Sequence, residues 1–295
     1  MTEKLVLAGP ASEGLGRSIA AKMGIPLLKA EFKVFSDGET KFSLKEGVSG
    51  KTVVVVQSTY PPVDQHLFQL ILASHVLSQD GAKVVAVAPY LAYARQDKEF
   101  LPGEGVTIGF VAHLMRSAGV RRVATVDIHS AEGLSFFSIP AYSVSAIPEL
   151  VGHVKAMGLT KPVVVSPDFG GSKRTEAFAQ LFGAPYLRMS KSRDRNNGEV
   201  KIKEEPFDVA GKDVVIVDDV ISTGGTVAAA SEAVTRQGAR KVVVACSHGL
   251  FVGDALDKLD KAGVKEVVCT NTVPGKHNKV DVTSVVVSHL STLDE

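Results

Sequence analysis

The sequence predicts an α/β protein whose two halves repeat one fold. Short aliphatic runs alternate with helix-like segments along most of the chain: KLVLAG, TVVVVQS, KVVAVAP, RVATVDI, PVVVSPD, DVVIVDD, KVVVACS and EVVCTN. Such unbroken runs read as strands buried on both faces, which means a parallel sheet covered by helices. The series also recurs in order. KTVVVVQS (Lys51 to Ser58) matches KDVVIVDD (Lys212 to Asp219), QDGAKVVAVAP matches RQGARKVVVACS, and SAGVRRVATVD (Ser117 to Asp127) matches KAGVKEVVCTN (Lys261 to Asn271). The boundary is expected near Tyr142 to Leu150, dividing domains 1–145 and 146–295. No Gly/Ser linker marks it, so closely packed halves are expected. The last residues, HLSTLDE, could return to the first domain, although so few positions carry no periodicity.

A length of 295 residues suits one large domain or two ordinary ones. With 33 basic and 32 acidic side chains the formal net charge is +1, which gives no electrostatic reason to expect nucleic acid or an anionic membrane as partner. No apolar stretch approaches the ~18 residues of a membrane span. MTEKLVLAG enters a strand-like run and not a signal peptide, so a cytoplasmic protein is expected. Cys246 and Cys269 fall inside aliphatic runs, where buried reduced thiols are expected, and they form no metal-site spacing.

Taken in order, the segments between strands carry the polar chemistry. FSDGE (Phe35, Asp37, Gly38, Glu39) reads on its own as a hairpin turn at Asp-Gly. PYLAYARQDKEFLPGEG is an insertion that the second half lacks, and its Arg95, Gln96 and Asp97 alone read as a solvated charge cluster. DIHS sets His129 just past the strand RVATVDI, at the sheet edge where parallel α/β proteins bind ligands. A lone histidine there is more often a structural hydrogen-bonder. SPDFGG sets Asp168 at the equivalent strand end of the second half, and KSRDRNNGEV reads by composition as a flexible surface loop.

The segment VVIVDDVISTGGT (Val214 to Thr226) says most. After the strand Val214–Val217, the turn Ser222 to Thr226 faces a helix expected over roughly Val227 to Gln237. Gly224 and Gly225 let the backbone approach a ligand closely. The hydroxyls of Ser222, Thr223 and Thr226 donate hydrogen bonds, and the helix N-terminus adds partial positive charge. With no Lys and no GxxxxGK[ST], this is not a nucleoside-triphosphate loop. Asp218 and Asp219 stand where carboxylates accept from vicinal hydroxyls. A phosphate beside a diol describes ribose 5-phosphate. An ordinary capped helix explains one Thr and one Gly, but not the paired Asp.

VVIVDDVISTGGT resembles the ribose-phosphate signature shared by type I phosphoribosyltransferases and ribose-phosphate pyrophosphokinases. FSDGE, YARQD, DIHS and KSRDRNNGEV resemble the pyrophosphokinases alone, and PGEGVTI resembles their archaeal members. The resemblance runs from about Leu5 to Val287 and implies two tandem phosphoribosyltransferase-like domains. It also implies that Phe35, Asp37, Gly38 and Glu39 recognise adenine from a neighbouring subunit, so a homodimer at least, while Arg95, Gln96 and Asp97 bind ATP. His129 is implied in binding Mg2+ beside the ATP phosphates, and Asp168 in binding the other metal or the ribose. Asp218, Asp219, Ser222, Thr223, Gly224, Gly225 and Thr226 are implied to bind ribose 5-phosphate. Lys191 and Arg193 are implied to close over the transferring group, Arg193 also touching the sugar phosphate. Ser192 stands where bacterial members commonly have a basic residue, and Ser222 where many have Asp.

The implied reaction moves the diphosphate of Mg-ATP to the anomeric hydroxyl of ribose 5-phosphate, giving 5-phosphoribosyl 1-diphosphate (PRPP) and AMP for nucleotide biosynthesis. Two other readings stand beside it. A phosphoribosyltransferase that consumes PRPP needs only one such domain and leaves the repeat and its insertion unexplained. A non-catalytic, synthetase-associated protein of the same fold is expected to differ around the functional loops.

Overall fold

The computed structural model describes residues 3–168, 171–189, 191–193, 200–202 and 208–292; of residues 172, 191–193 and 200–202 it describes the backbone alone. In chain order the elements are β1 (Lys4–Ala8), α1 (Glu13–Met23), β2 (Ala30–Val34), β3 (Thr40–Leu44), β4 (Thr52–Val56), α2 (Val63–Gln79), β5 (Lys83–Ala88), α3 (Thr107–Ser117), β6 (Val120–Val126), α4 (Glu132–Ser135), β7 (Ala141–Val144) and α5 (Ile147–Ala156). There follow β8 (Val163–Ser166), α6 (Ser172–Phe182), β9 (Tyr186–Arg188), β10 (Lys191–Arg193), β11 (Val200–Ile202), β12 (Asp213–Ile221), α7 (Gly225–Arg236), β13 (Lys241–Gly249), α8 (Ala255–Lys261), β14 (Val264–Thr270), β15 (Asn278–Val280) and α9 (Thr283–Thr292). The chain forms two compact units. One comprises 1–145, 272–274 and 282–295; the other comprises 146–271 and 275–281.

In the first unit the order β1-β4-β5-β6-β7 is parallel throughout. In the second the order β15-β14-β13-β12-β8-β9 is also parallel throughout. The series β1, β4, β5, β6, β7 thus recurs as β8, β12, β13, β14, β15. Even an irregularity is shared: register slips between Val84 and Val85 against β6, and between Val242 and Val243 against β14. The place that β9 takes beside β8 is marked in the first unit by a single parallel bridge, Val6 to Leu27. The aliphatic runs form these strands because each is covered on both sides, and full burial of one Val or Leu side chain stabilises by about 1.5–3 kcal/mol.

Strand alternation builds two cores in the second unit. Val214 and Ile216 pack with Val227, Val234 and Leu259 of α7 and α8. Val215 and Val217 face the other way, toward Leu150 and Phe178 of α5 and α6. Cys246 and Cys269 are registered partners on β13 and β14, both buried and free, with Sγ atoms 3.3 Å apart. Helix α9 belongs to the first unit, where it packs on α1 and sets His289 against the Tyr142 ring at 4.8 Å. Among the described residues, no helix is long and apolar enough to cross a membrane.

Candidate functional site

The strand of the VVIVDDVISTGGT segment is longer than its aliphatic run suggests. Pairing with β13 continues to Ile221↔Gly249, so Asp218 and Asp219 lie in β12 and not in the turn. The helix starts correspondingly early, at Gly225 instead of Val227. Between them Gly224 takes φ +75 as N-cap, a left-handed conformation that favours glycine. The loop is braced from outside: Val252 donates its amide to the Ser222 carbonyl at 3.0 Å, and Leu250 donates to that of Ile221 at 2.9 Å.

This bracing leaves the inner side of the loop open to a ligand. Ala228 donates to the Gly224 carbonyl at 2.8 Å, and helix geometry leaves the amides ahead of it without an intrahelical partner. No side chain caps them. Thr223 and Gly225 are exposed, Ser222 and Thr226 half-buried. The result is a concavity of amides and hydroxyls at a helix N-terminus, chemistry suited to a phosphate monoester. The equivalent loop of the first unit is closed to such a ligand. Ser58 Oγ accepts from the Tyr90 amide at 3.0 Å, Thr59 Oγ1 accepts from that of Ala92 at 2.7 Å, and Pro61 and Pro62 carry no amide hydrogen.

Carboxylates gather beside the second unit's loop. The Asp168 carboxylate accepts the Gly171 amide at 3.0 Å, and Ser166 donates its hydroxyl to the Asp168 carbonyl at 2.7 Å. A methyl group on Gly171 would stand 3.8 Å from Asp168 Oδ1 and 3.9 Å from Asp218 Oδ1, so glycine keeps open the space between the two. Burial, and then the charges of Asp219 and Asp168, push the Asp218 carboxyl well above the usual carboxylate range. Asp219 is nearly buried and pairs with Arg174 of α6, Nη1 to Oδ1 3.2 Å. Sequence reasoning missed Arg174. Its signal is the parity of β12, which turns Asp219 toward the α5–α6 layer, and parity names no partner until the layers are known. A cluster with carboxylate in excess and open space between its members fits a hard divalent cation, which takes oxygen ligands and often only one or two from protein. Among the described residues, no group of three or more His, Cys, Asp and Glu is arranged as a metal cage.

In the first unit, the insertion leaves the end of β5 as a turn in which Tyr93 adopts φ +66 and its hydroxyl bonds to Asp64. The bond to Asp64, together with burial, raises the Tyr93 pKa. Gln96 is held by Thr107, whose hydroxyl donates to its Oε1 at 2.6 Å. Arg95 and Gln96 are exposed, Asp97 half-exposed. His129 is exposed just past β6, the strand next to β5, so this sheet edge carries both sets. Phe35 to Glu39 form the turn of the β2–β3 hairpin. Phe35 donates to the Glu39 carbonyl at 2.8 Å, Asp37 accepts the Glu39 amide at 3.1 Å, and Gly38 takes φ +93. The Phe35 ring remains 39% exposed beneath the Lys33 ammonium. The backbones of Lys191 and Arg193 lie on β10, paired with β11, and their side chains are outside the described residues.

Comparison with known proteins agrees along the chain. Residues 4–119 match the N-terminal domain of ribose phosphate pyrophosphokinase, and residues 189–294 match the phosphoribosyl synthetase-associated domain. The ribose-phosphate pyrophosphokinase of Sulfurisphaera tokodaii is 39% identical over 283 residues, covering 95% of this chain and 97% of that protein. That of Aquifex aeolicus is 35% identical, covering 95% and 91%. The crystal structure of phosphoribosylpyrophosphate synthetase from Mycobacterium smegmatis superposes with a TM-score of 0.89 at 28% identity, covering 99% of each chain.

Proposed function

The chain belongs to the ribose-phosphate pyrophosphokinase family, whose reaction makes PRPP and AMP from ATP and ribose 5-phosphate, and from that premise we propose how its residues divide the work. The observation that carries the reading is the β12–α7 loop, with its uncapped amides and hydroxyls beside Asp218. Ser222, Thr223, Gly224, Gly225 and Thr226 hold the 5-phosphate, and Asp218 takes the vicinal hydroxyls with Asp219 beside it. Arg95, Gln96 and Asp97 bind ATP. Phe35, Asp37, Gly38 and Glu39 complete the adenine site of a second copy, which makes a homodimer the smallest active form. The exposed Phe35 ring at a hairpin tip suits that role. Cytoplasmic location is proposed with it.

Phosphoryl transfer needs positioning and charge neutralisation more than covalent chemistry. The sugar is fixed at both ends, which aims its anomeric hydroxyl at the β-phosphorus while AMP leaves. Lys191 and Arg193 stabilise the charge that spreads over the β-phosphate and bridging oxygen, and Arg193 also meets the sugar phosphate. Groups of this kind are worth about 3–4 kcal/mol each in a dry site. His129 of the first unit and Asp168 of the second would each offer a ligand to Mg2+, which would withdraw charge from the triphosphate when bound.

Calorimetric titration of ribose 5-phosphate and of unphosphorylated ribose into the purified protein tests the loop assignment. The expected result is binding of the phosphate ester with ribose weaker by about 100-fold or more, as befits several charge-assisted hydrogen bonds. Equal affinity for the two sugars, or binding of neither, overturns it.

A further inference from the structure

Paired carboxylates on one strand are not equivalent when their partners differ, and β12 turns its side chains alternately as far as Val217. Val214 and Ile216 lie in the α7–α8 core, Val215 and Val217 in the α5–α6 core. Strict alternation ends there, since Ile221 rejoins the α7–α8 core, and the two carboxyl groups stay within reach of one another while meeting different partners: Asp218 Oδ1 faces Gly171 and Asp168, and Asp219 turns to α6. There Asp219 meets Arg174, the two side chains being 4% and 16% exposed. A carboxylate so enclosed stays ionised only when paired. Helix α6 is tied to the same strand by Thr175, whose hydroxyl donates to the carbonyls of Gly171 at 3.0 Å and Val217 at 3.3 Å. Arg174 therefore acts from a fixed platform.

The two carboxylates are mechanically joined. The amide of Asp219 donates to Asp218 Oδ1 at 2.9 Å, so whatever fixes Asp219 also fixes the donor that orients the Asp218 carboxylate. Resting on the loop's assignment to ribose 5-phosphate, we infer that Asp219 is not a sugar ligand and that Arg174 is a positioning residue. By holding Asp219 in place, Arg174 fixes the amide that aims Asp218 at the sugar diol. One carboxylate of the pair recognises substrate, and the other anchors it.

The test compares Asp218→Asn, Asp219→Asn, Arg174→Met, Arg174→Lys and the Arg174→Met/Asp219→Asn double variant in the full-length protein. It reads calorimetric affinity for ribose 5-phosphate and the KM values of both substrates. Asp218→Asn is expected to weaken the sugar by about 100-fold, and Asp219→Asn by about tenfold or less, since only the former removes a charged hydrogen-bond partner of the ligand. Arg174→Met should raise the ribose 5-phosphate KM by about tenfold and the ATP KM by no more than about twofold, with Arg174→Lys recovering most of the loss. In the double variant the losses should not multiply, because both act through one contact. Equal losses for the two Asp→Asn variants would overturn the inference, as would parallel rises in both KM values. Should Arg174→Met fail to fold, the near-isosteric Asp→Asn comparison decides alone. A wild-type protein that binds no ribose 5-phosphate would instead overturn the loop assignment itself, an outcome visible before any variant is made.

Discussion

A methyl group on Gly224 would sit 3.1 Å from the carbonyl oxygen of Ala255, the first residue of α8. The loop at the head of α7 is thus pressed against its neighbour helix on one side, which leaves its amides for the other. Gly224 is required twice, by this contact and by φ +75, whereas Gly225 has nothing within 4 Å of its Cβ position. Gly224→Ala should therefore cost about 1–3 kcal/mol of stability. Gly225→Ala should change stability by no more than about 0.5 kcal/mol, yet lose affinity for ribose 5-phosphate because the methyl group fills the ligand's approach. Urea denaturation beside sugar titration checks both, and a Gly225→Ala protein with undiminished affinity would place the phosphate elsewhere.

With the proposed role of Lys191, acting only where negative charge develops, Lys191→Ala should lower kcat by about 100-fold or more with little change in ribose 5-phosphate affinity. Single-turnover kinetics beside sugar binding separates the two. Comparable losses in both would remove Lys191 from the transition state.

Thr107 fixes the Gln96 side chain through the 2.6 Å bond to Oε1. Thr107→Val deletes this bond at nearly constant volume, so the ATP KM should rise about three- to tenfold with the ribose 5-phosphate KM unchanged. An unchanged ATP KM would detach Gln96 from the nucleotide.

Burial holds the His289 imidazole below its ordinary value of 6.5, and its Nε2 lies buried without a hydrogen-bond partner. The folded protein thus keeps a neutral ring that the unfolded chain would protonate more readily. The stability it contributes is complete above about pH 6.5 and declines as pH falls through the depressed folded value. His289→Phe should flatten that part of the curve, measured as the difference in unfolding free energy between wild type and variant from about pH 7.5 to 5. A pH-independent difference would show that the ring does not titrate against α9 docking.

Much of the architecture was legible because buried parallel strands announce themselves. KTVVVVQS and KDVVIVDD became β4 and β12, at matching positions in their sheets. The end of β12 was not legible, since carboxylates inside a strand look like the start of a turn until pairing to Gly249 is seen. Asp218 and the Gly-Gly-Thr loop were marked by residue type, because few other needs put amides, hydroxyls and carboxylates together. Arg174 had no such mark: its partner lies 45 residues ahead in sequence and is found only through the layer that α6 covers. The closed loop of the first unit was likewise hidden, for Ser58 and Thr59 look like ligand-binding hydroxyls until their bonds to the β5–α3 segment are known.

The central claim is that this chain makes an activated sugar by moving a diphosphate. Phosphorus NMR of the purified protein with magnesium, ATP and ribose 5-phosphate, beside Lys191→Ala, tests it most directly. The account predicts AMP and a sugar-linked diphosphate in equal amounts, nearly absent in the variant. Unchanged ATP with folded protein, or ADP in place of AMP, would contradict it.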